Sequence, residues 1–316
     1  MKKSSKKFIL VAGIIALSLM IIHFINTFIF YISTFKNHLF SDYGNYYNWR
    51  LGRVFYTKKG SGPVILLVHD LNNTSSHYEW KDVSDSLSKN YTVYTIDLIG
   101  CGNSDKPKMT YTSYLYVQLI SDFIRDVIGE STSIVCSRNS CSISIMACHI
   151  DSSLFKKLIL INPRDITTVN KYPTRKHRII KFLLTLPIIG TLLYNINNSR
   201  YQLLKKFNKA YLSNSMSVSR YIKAYSEAAH TSGSNSLFIY SSIKCHYTCT
   251  NISHALQSIT NDIRILEGSE CNDAMEILDQ YESINPSIET TLLINNKELP
   301  QIENPHQVIS FIESNL

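Results

Sequence analysis

An uncharged apolar run near the N-terminus dominates the hydrophobic pattern of the chain. Residues 8–32 contain no Asp, Glu, Lys or Arg and are mostly Ile, Leu, Phe, Val and Ala. About 20 such residues suffice to cross a membrane as a helix, whereas the apolar core of a cleaved signal peptide has about 7–15. The run therefore predicts a membrane anchor. The lysines within residues 1–7 predict a cytoplasmic tail, with the rest of the chain outside.

After a linker predicted at residues 33–47, apolar and amphipathic segments alternate. The uninterrupted apolar run Val64–Val68 is typical of a parallel strand that is buried on both faces. The other strands are predicted at 49–56, 91–96, 133–136 and 157–161, and the helices at 78–87, 114–128 and 141–150. Such alternation predicts an α/β fold with a mostly parallel, doubly wound sheet, of which residues 48–163 form the first part.

The strand pattern stops at Pro163. Residues 164–260 show no strand alternation and are predicted to form helices, and strands return near 263–267 and 289–294. A helical insertion between two sheet strands predicts a lid over the carboxyl ends of the strands, where open α/β sheets bind ligands. Residues 261–316 then complete the core and end in a helix.

Charge and composition narrow the class of function. The net charge of +8 suits contact with an anionic surface. The basic residues are scattered and no nucleic-acid-binding motif accompanies them, so a nucleic-acid partner is not expected. The seven cysteines lack metal-ligand spacing, so neither a metal nor a cofactor is predicted. The thiols are expected to be free, although an outer domain permits a disulfide.

Four segments resemble the α/β-hydrolase family. They are Gly60-Ser-Gly-Pro-Val-Ile-Leu-Leu-Val-His69, Asp97-Leu-Ile-Gly-Cys-Gly-Asn-Ser-Asp-Lys-Pro107, Leu158-Ile-Leu-Ile-Asn-Pro163 and Leu299-Pro-Gln-Ile-Glu-Asn-Pro305. They occur in the family's order and spacing, and the resemblance covers residues 48–163 and 262–313. It implies the α/β-hydrolase fold of the esterase and lipase type, with a helical lid and a catalytic triad.

The family's nucleophile lies on a strained strand-to-helix turn, usually Gly-x-Ser-x-Gly. The chain has Ile134-Val-Cys-Ser-Arg-Asn-Ser-Cys-Ser142 at this place, and two registers are open. In the first, Ser140 is the nucleophile and Ser142 replaces a glycine. In the second, Arg138 occupies the nucleophile position. The cluster of small residues around Ser140 favours the first register, and the alternative role of Ser140 is to cap the following helix.

The family's histidine base is replaced by Glu298, two residues before Pro300. A glutamate has an ordinary pKa near 4.3 and would need burial to act as a base near neutral pH. The family's acid position is occupied by Cys271. Glu270 beside it, or Asp165 after the preceding strand, is therefore the candidate acid.

The oxyanion hole implied by the first register combines the N–H of Cys141 with one from the loop after His69, at Leu71. Asp70 stands in that loop where the family generally has glycine. A carboxylate that faces developing negative charge opposes catalysis. Four parts of the catalytic site depart from the family's pattern: the nucleophile turn, the base, the acid and the oxyanion loop. Together these departures indicate a degenerate or repurposed site.

Two functions follow from these observations. One is a serine hydrolase that cuts an ester or acyl bond of an apolar substrate, with Ser140 as nucleophile and Glu298 as base. The other is a non-catalytic protein that binds an apolar or acyl ligand, or a partner, at the membrane surface. In that case Arg138 and Glu298 form an ion pair where the triad was. The predicted lid joins basic residues 175–181 to apolar residues 182–194, which favours a membrane lipid surface as partner.

Overall fold

The computed structural model describes residues 2–211 and 218–316. The strands are β1 (Gly44–Trp49), β2 (Gly52–Lys59), β3 (Val64–Val68), β4 (Thr92–Ile96), β5 (Thr132–Ser137), β6 (Phe155–Ile161), β7 (Asp262–Gly268) and β8 (Glu289–Leu293). The helices are α1 (Lys2–Thr34), α2 (Lys81–Leu87), α3 (Ser113–Phe123), α4 (Asn139–Ile150), α5 (Ile166–Val169), α6 (Arg175–Leu184), α7 (Ile189–Asn197), α8 (Arg200–Lys206), α9 (Val218–His230), α10 (Ser236–Lys244), α11 (Ser253–Ser258), α12 (Ala274–Ile284), α13 (Pro300–Glu303) and α14 (Pro305–Asn315).

The strands form one sheet in the order β1-β2-β4-β3-β5-β6-β7-β8. The pairs β1–β2 and β2–β4 are antiparallel, and all other neighbours are parallel. The central strands β3 and β5 are buried almost throughout, as the apolar run Val64–Val68 predicts. The mostly parallel, doubly wound sheet is therefore confirmed.

The sheet begins earlier than the hydrophobic pattern predicts. In place of a linker up to residue 47 and one strand at 49–56, β1 and β2 form a hairpin. Arg50 and Leu51 make its turn, followed by Gly52 with a φ of 142°. Because β1 is an edge strand and mostly exposed, its sequence carries no apolar alternation that would reveal it.

Helices cover both faces of the sheet. On one face, α3 and α4 enclose the largest apolar cluster, which includes Tyr116, Phe123 and Ile143. On the other face, α2 and α14 pack through Val83 and Val308.

All seven cysteines lie in the described part of the chain and carry free thiols, and most are buried. The five buried ones act as small apolar residues of the fold.

The elements described between β6 and β7, within residues 162–211 and 218–261, are all helical, from α5 to α11. Together α6 and α7 are apolar enough for a membrane span, but they meet at 95°. Pro187 lies in the short break between them, where a proline is readily accommodated. Gly190 permits their close approach, because a Cβ there would collide with the carbonyl oxygen of Leu184.

Among the described helices, only α1 is by itself long and apolar enough to cross a membrane, with a mean hydropathy of 2.7 over its apolar segment. Most of its side chains are exposed. The exceptions lie near its C-terminal end, where Asn26 is buried and Phe30 packs beside Tyr194 and Leu237 of the insertion. The segment predicted as an anchor is thus one continuous helix that contacts the insertion at one end.

Candidate functional site

The turn between β5 and α4 lies at the carboxyl end of the parallel strands. β5 ends at Ser137 and α4 begins at Asn139, so Arg138 alone makes the turn. Arg138 has φ 52° and ψ −115°, a conformation that residues other than glycine rarely adopt. Its N–H donates to the carbonyl oxygen of Ile161 at 2.9 Å, which ties the turn to β6. This strained turn is where the family carries its nucleophile.

Ser140 lies two residues beyond the turn, in the first turn of α4. Its side chain is fully buried, and its hydroxyl donates to the carbonyl oxygen of His69. The N–H of Cys141, the expected oxyanion donor, donates instead to the carbonyl oxygen of Arg138 at 3.1 Å. The backbone therefore follows the second register, with Arg138 at the strained position.

The small residues that favoured Ser140 have a packing role. The thiol of Cys141 lies 3.4 Å from the carbonyl oxygen of Cys136 on β5, and Ser142 donates to the carbonyl oxygen of Asn139 at 3.0 Å. A helix that approaches a strand this closely needs small side chains. The cluster is thus explained by the contact between α4 and β5.

The guanidinium of Arg138 is buried among charged and aromatic groups. It forms an ion pair with Glu298, lies 3.4 Å from a carboxylate oxygen of Asp70, and is 5.3 Å from the ring centre of Tyr211. Burial alone lowers the pKa of Arg138, but the carboxylates of Asp70 and Glu298 outweigh it and raise the pKa above its ordinary value. The ion pair that the sequence predicts for a repurposed site is therefore present.

Asp70 points towards the turn. Its Oδ1 accepts the N–H of Asn139 at 3.0 Å and the side-chain amide of Asn139 at 2.8 Å. Because Asn139 follows the strained residue, its N–H corresponds to the family's oxyanion donor. Leu71, the other predicted donor, is buried beside it, with its carbonyl oxygen 3.5 Å from the Asn139 amide. A carboxylate of the protein thus occupies the place of an oxyanion.

One candidate acid, Asp165, lies near the ion pair, in the wall of a cavity that Arg138 and Glu298 also line. Asp165 caps α5 and accepts the N–H of Thr168 at 2.8 Å. Glu270 is exposed, and its N–H donates to the carbonyl oxygen of Asn296 at 2.9 Å. Within the described residues, neither carboxylate forms a hydrogen bond or ion pair with Arg138. The structure therefore does not assemble a serine, base and acid in one relay.

A polar cavity of about 200 Å³ opens beside the ion pair. Its walls include Arg138, Asn162, Arg164, Glu267, Cys271 and Glu298. Burial raises the pKa of Glu267 to about 8, and burial together with the charge of Arg138 lowers the pKa of Arg164. Among the described residues of the wall, Pro163 and Ile277 are apolar, and the Cys271 thiol lies beside charged groups. The cavity offers hydrogen-bonding groups and little surface for an acyl chain.

Glu79 is a central residue of the site that no motif in the sequence marks. It is buried and accepts hydrogen bonds from Ser137, from Gln301 at 2.7 Å and from Tyr225 at 3.1 Å. Burial raises the pKa of Glu79, and the negative charge of Asp70 raises it further. Its carboxyl group joins β5, the insertion and α13 beneath the turn. The only signal in the sequence is a single carboxylate between two aromatic residues.

Comparison with known proteins supports the fold. No family model matches the chain. An uncharacterised protein of Mycobacterium bovis is 31% identical over 108 residues, which are 34% of this chain and 31% of the relative. The match therefore spans about a third of that relative's length.

Two solved structures cover much more of the chain. A serine hydrolase involved in carbazole degradation has a TM-score of 0.71 at 14% identity and covers 86% of this chain and 97% of its own. A membrane phospholipase A, described as a bacterial virulence factor, has a TM-score of 0.68 at 14% identity and covers 99% and 97%. The sheet order, the strained turn after β5, the helical insertion before β7 and these likenesses agree: the chain has the α/β-hydrolase fold.

Proposed function

We propose that this protein is a membrane-anchored, non-hydrolytic member of the family that binds an apolar ligand at the membrane surface. We infer the loss of hydrolysis from the ion pair between Arg138 and Glu298. These two residues lie at the positions of the family's nucleophile and base. A guanidinium stays protonated in proteins and has no acceptor atom. Arg138 can therefore neither attack a carbonyl carbon nor accept a proton.

The surrounding hydrogen bonds oppose acyl transfer as well. That reaction needs an activated nucleophile, a base and free donors for the oxyanion. Here the carboxylate of Asp70 holds the N–H of Asn139, and Glu298 is committed to Arg138. The hydroxyl of Ser140 would first have to leave the carbonyl oxygen of His69. The charges of the site thus stabilise one another, and Arg138, Glu298 and Asp70 bond to protein groups.

Membrane anchoring is supported by α1 and by the lysines before it. The likeness to the membrane phospholipase A covers 99% of this chain and therefore reaches into α1. In this proposal the N-terminus is cytoplasmic and the α/β domain lies outside. Helices α5 to α11 form the lid, and the exposed apolar side chains Phe182, Leu183, Ile189 and Leu193 face the lipid.

Labelling of the full-length protein with a fluorophosphonate probe tests the loss of hydrolysis. We expect no labelling and no turnover of p-nitrophenyl esters, because no hydroxyl is activated at the turn. The matched variants are Ser140→Ala and Ser142→Ala. Labelling that disappears only in Ser140→Ala would instead establish Ser140 as the nucleophile and make the protein a serine hydrolase.

The proposed topology has its own test. Protease added to intact cells should digest the domain beyond Lys36, while residues 1–7 remain protected. Digestion of the domain only after lysis would place it on the cytoplasmic side and contradict the proposal.

A further inference from the structure

A second cavity, here called the α1 cleft, lies between α1 and the helical insertion and has a volume of about 660 Å³. Its apolar lining comprises Phe30 of α1, Leu186, Pro187 and Ile188 at the corner between α6 and α7, and Leu237 and Phe238 of α10. The volume lies within the roughly 300–1,000 Å³ typical of small-molecule sites. Unlike the polar cavity at Arg138, the α1 cleft has enough apolar surface to bury a hydrocarbon chain.

The α1 cleft is held in place by hydrogen bonds to α1. The side-chain amide of Asn26 donates to the carbonyl oxygen of Ile188 at 3.0 Å, and the amide of Asn195 donates to Asn26 Oδ1 at 2.9 Å. Phe30 and His230 add a ring contact with centroids 5.7 Å apart. A polar side chain in an apolar helix normally serves to fix a neighbouring helix. Asn26 therefore fixes the insertion at one height along α1.

That height can be compared with the thickness of a membrane. From Phe8, the first residue after the lysines, to Asn26 is a rise of about 27 Å at ~1.5 Å per residue. The hydrocarbon layer is about 30 Å thick. If α1 spans the membrane, the α1 cleft lies at the far boundary between acyl chains and headgroups. A lipid of the outer leaflet can therefore reach the cleft laterally.

Lys108 supplies a charge at the same place. It is exposed, lines the α1 cleft, and has no ion pair among the described residues. A lysine at the surface of a membrane attracts the phosphate groups of lipids. We propose that the α1 cleft binds one phospholipid, with an acyl chain against Phe30, Leu237 and Phe238 and the phosphate at Lys108. This inference names the ligand of the proposed function and rests on the membrane anchoring assumed there.

Fluorescence quenching in the full-length, detergent-solubilised protein tests the proposal. Phe238→Trp places a reporter in the α1 cleft, whereas the native Trp49 and Trp80 are buried in the α/β domain. Titration with phosphatidylglycerol carrying brominated acyl chains should quench this reporter with saturation. In the same background, Lys108→Glu should raise the dissociation constant about fivefold or more. One lysine near lipid phosphates strengthens lipid binding by a factor of about five.

Two further variants separate specific binding from contact with detergent. Lys89→Glu makes the same charge change at an exposed lysine that does not line the α1 cleft and should leave the dissociation constant unchanged. Thr27→Phe adds a ring to the wall of the cleft and should reduce the quenching. Equal quenching in the parent, Lys108→Glu and Thr27→Phe proteins would overturn the proposal. Ester hydrolysis is measured separately, so an active enzyme that also binds lipid here would refute only the proposed loss of hydrolysis.

Discussion

The polar cavity beside Arg138 and the α1 cleft differ in almost every physical property. The first holds about 200 Å³ and its wall includes arginine and carboxyl groups, whereas the second holds about 660 Å³ and presents a mainly apolar surface between polar side chains. The first lies at the carboxyl ends of the strands, and the second lies against α1. The place of the family's chemistry is thus filled with mutually paired charges, while the space suited to an apolar ligand lies beside α1.

The largest expected effect is a gain of hydrolysis on rebuilding the family's site. Arg138→Ser places a hydroxyl on the strained turn, Glu298→His supplies a base, and Asp70→Gly frees the N–H of Asn139. General-base catalysis by a placed group is typically worth about 10²–10⁴-fold in rate. The triple variant should hydrolyse p-nitrophenyl esters at least about 10²-fold faster than wild type. The same variant with Arg138→Ala in place of Arg138→Ser is the control and should show no gain.

Glu298→His alone should change nothing, because no hydroxyl then faces the new imidazole. A gain in Glu298→His that disappears when Ser140→Ala is added would show that Ser140 lies on a working turn after all. A wild type faster than Glu298→His would show that Glu298 itself acts as a base. Either outcome would contradict the proposal that the polar cavity beside Arg138 is inactive in ester hydrolysis.

A smaller effect concerns the pH dependence of stability. The folded protein keeps the proton of Glu267 up to pH about 8, whereas the ordinary value is 4.5. Between these values the unfolded chain binds fewer protons, so the free energy of unfolding decreases as pH rises, by at most about 1.4 kcal/mol per unit. This contribution of Glu267 is complete below pH 4.5 and is lost by pH 8. Cys271, Arg138, Glu298 and Arg164 face the carboxyl group.

Thermal unfolding at pH 5, 7 and 9 measures this effect. Glu267→Gln cannot ionise, so its Tm should exceed that of wild type by more at pH 9 than at pH 5. The exposed neighbour Glu270 provides the matched control Glu270→Gln, which should show no such trend. Parallel Tm curves for wild type and Glu267→Gln would mean that the buried carboxyl group is not held protonated in the fold.

The architecture was predictable from the sequence because its signals are local. The buried run Val64–Val68 identifies a central strand by itself, and the absence of strand alternation after Pro163 identifies the insertion. β1 was not predictable, since Tyr47 and Trp49 pack on the core while the rest of this edge strand is exposed, and two such residues make no clear apolar pattern. The motif at the turn was ambiguous for another reason: a shift of two residues exchanges Ser140 for Arg138. Only the end of β5 at Ser137 decides between them.

The candidate site was predictable only in part. The pair of Arg138 and Glu298 could be foreseen, because both fall on positions that the family's motifs fix. Glu79, Tyr211 and Glu267 could not, since no motif marks them and several of their partners lie far along the chain. Ser137, Tyr225 and Gln301 bond to Glu79, and Arg138 lies beside both Tyr211 and Glu267. Burial gives these groups their roles, and burial depends on how the insertion packs against the sheet.

The smallest expected effect concerns the contact that joins α1 to its cleft. Asn26→Ala removes the two hydrogen bonds with Ile188 and Asn195. Side-chain hydrogen bonds between helices in membrane proteins average about 0.6 kcal/mol each, so the loss should loosen the cleft without unfolding the α/β domain. In the Phe238→Trp background we expect the dissociation constant for brominated phosphatidylglycerol to rise about two- to fivefold. Ser18→Ala is the matched control, because the hydroxyl of Ser18 donates within α1, to the carbonyl oxygen of Ile14. An equal rise of the dissociation constant in Ser18→Ala would mean that lipid binding depends on the polarity of α1 rather than on its attachment to the insertion. Unchanged binding in Asn26→Ala would show that the α1 cleft does not depend on the hydrogen bonds of Asn26.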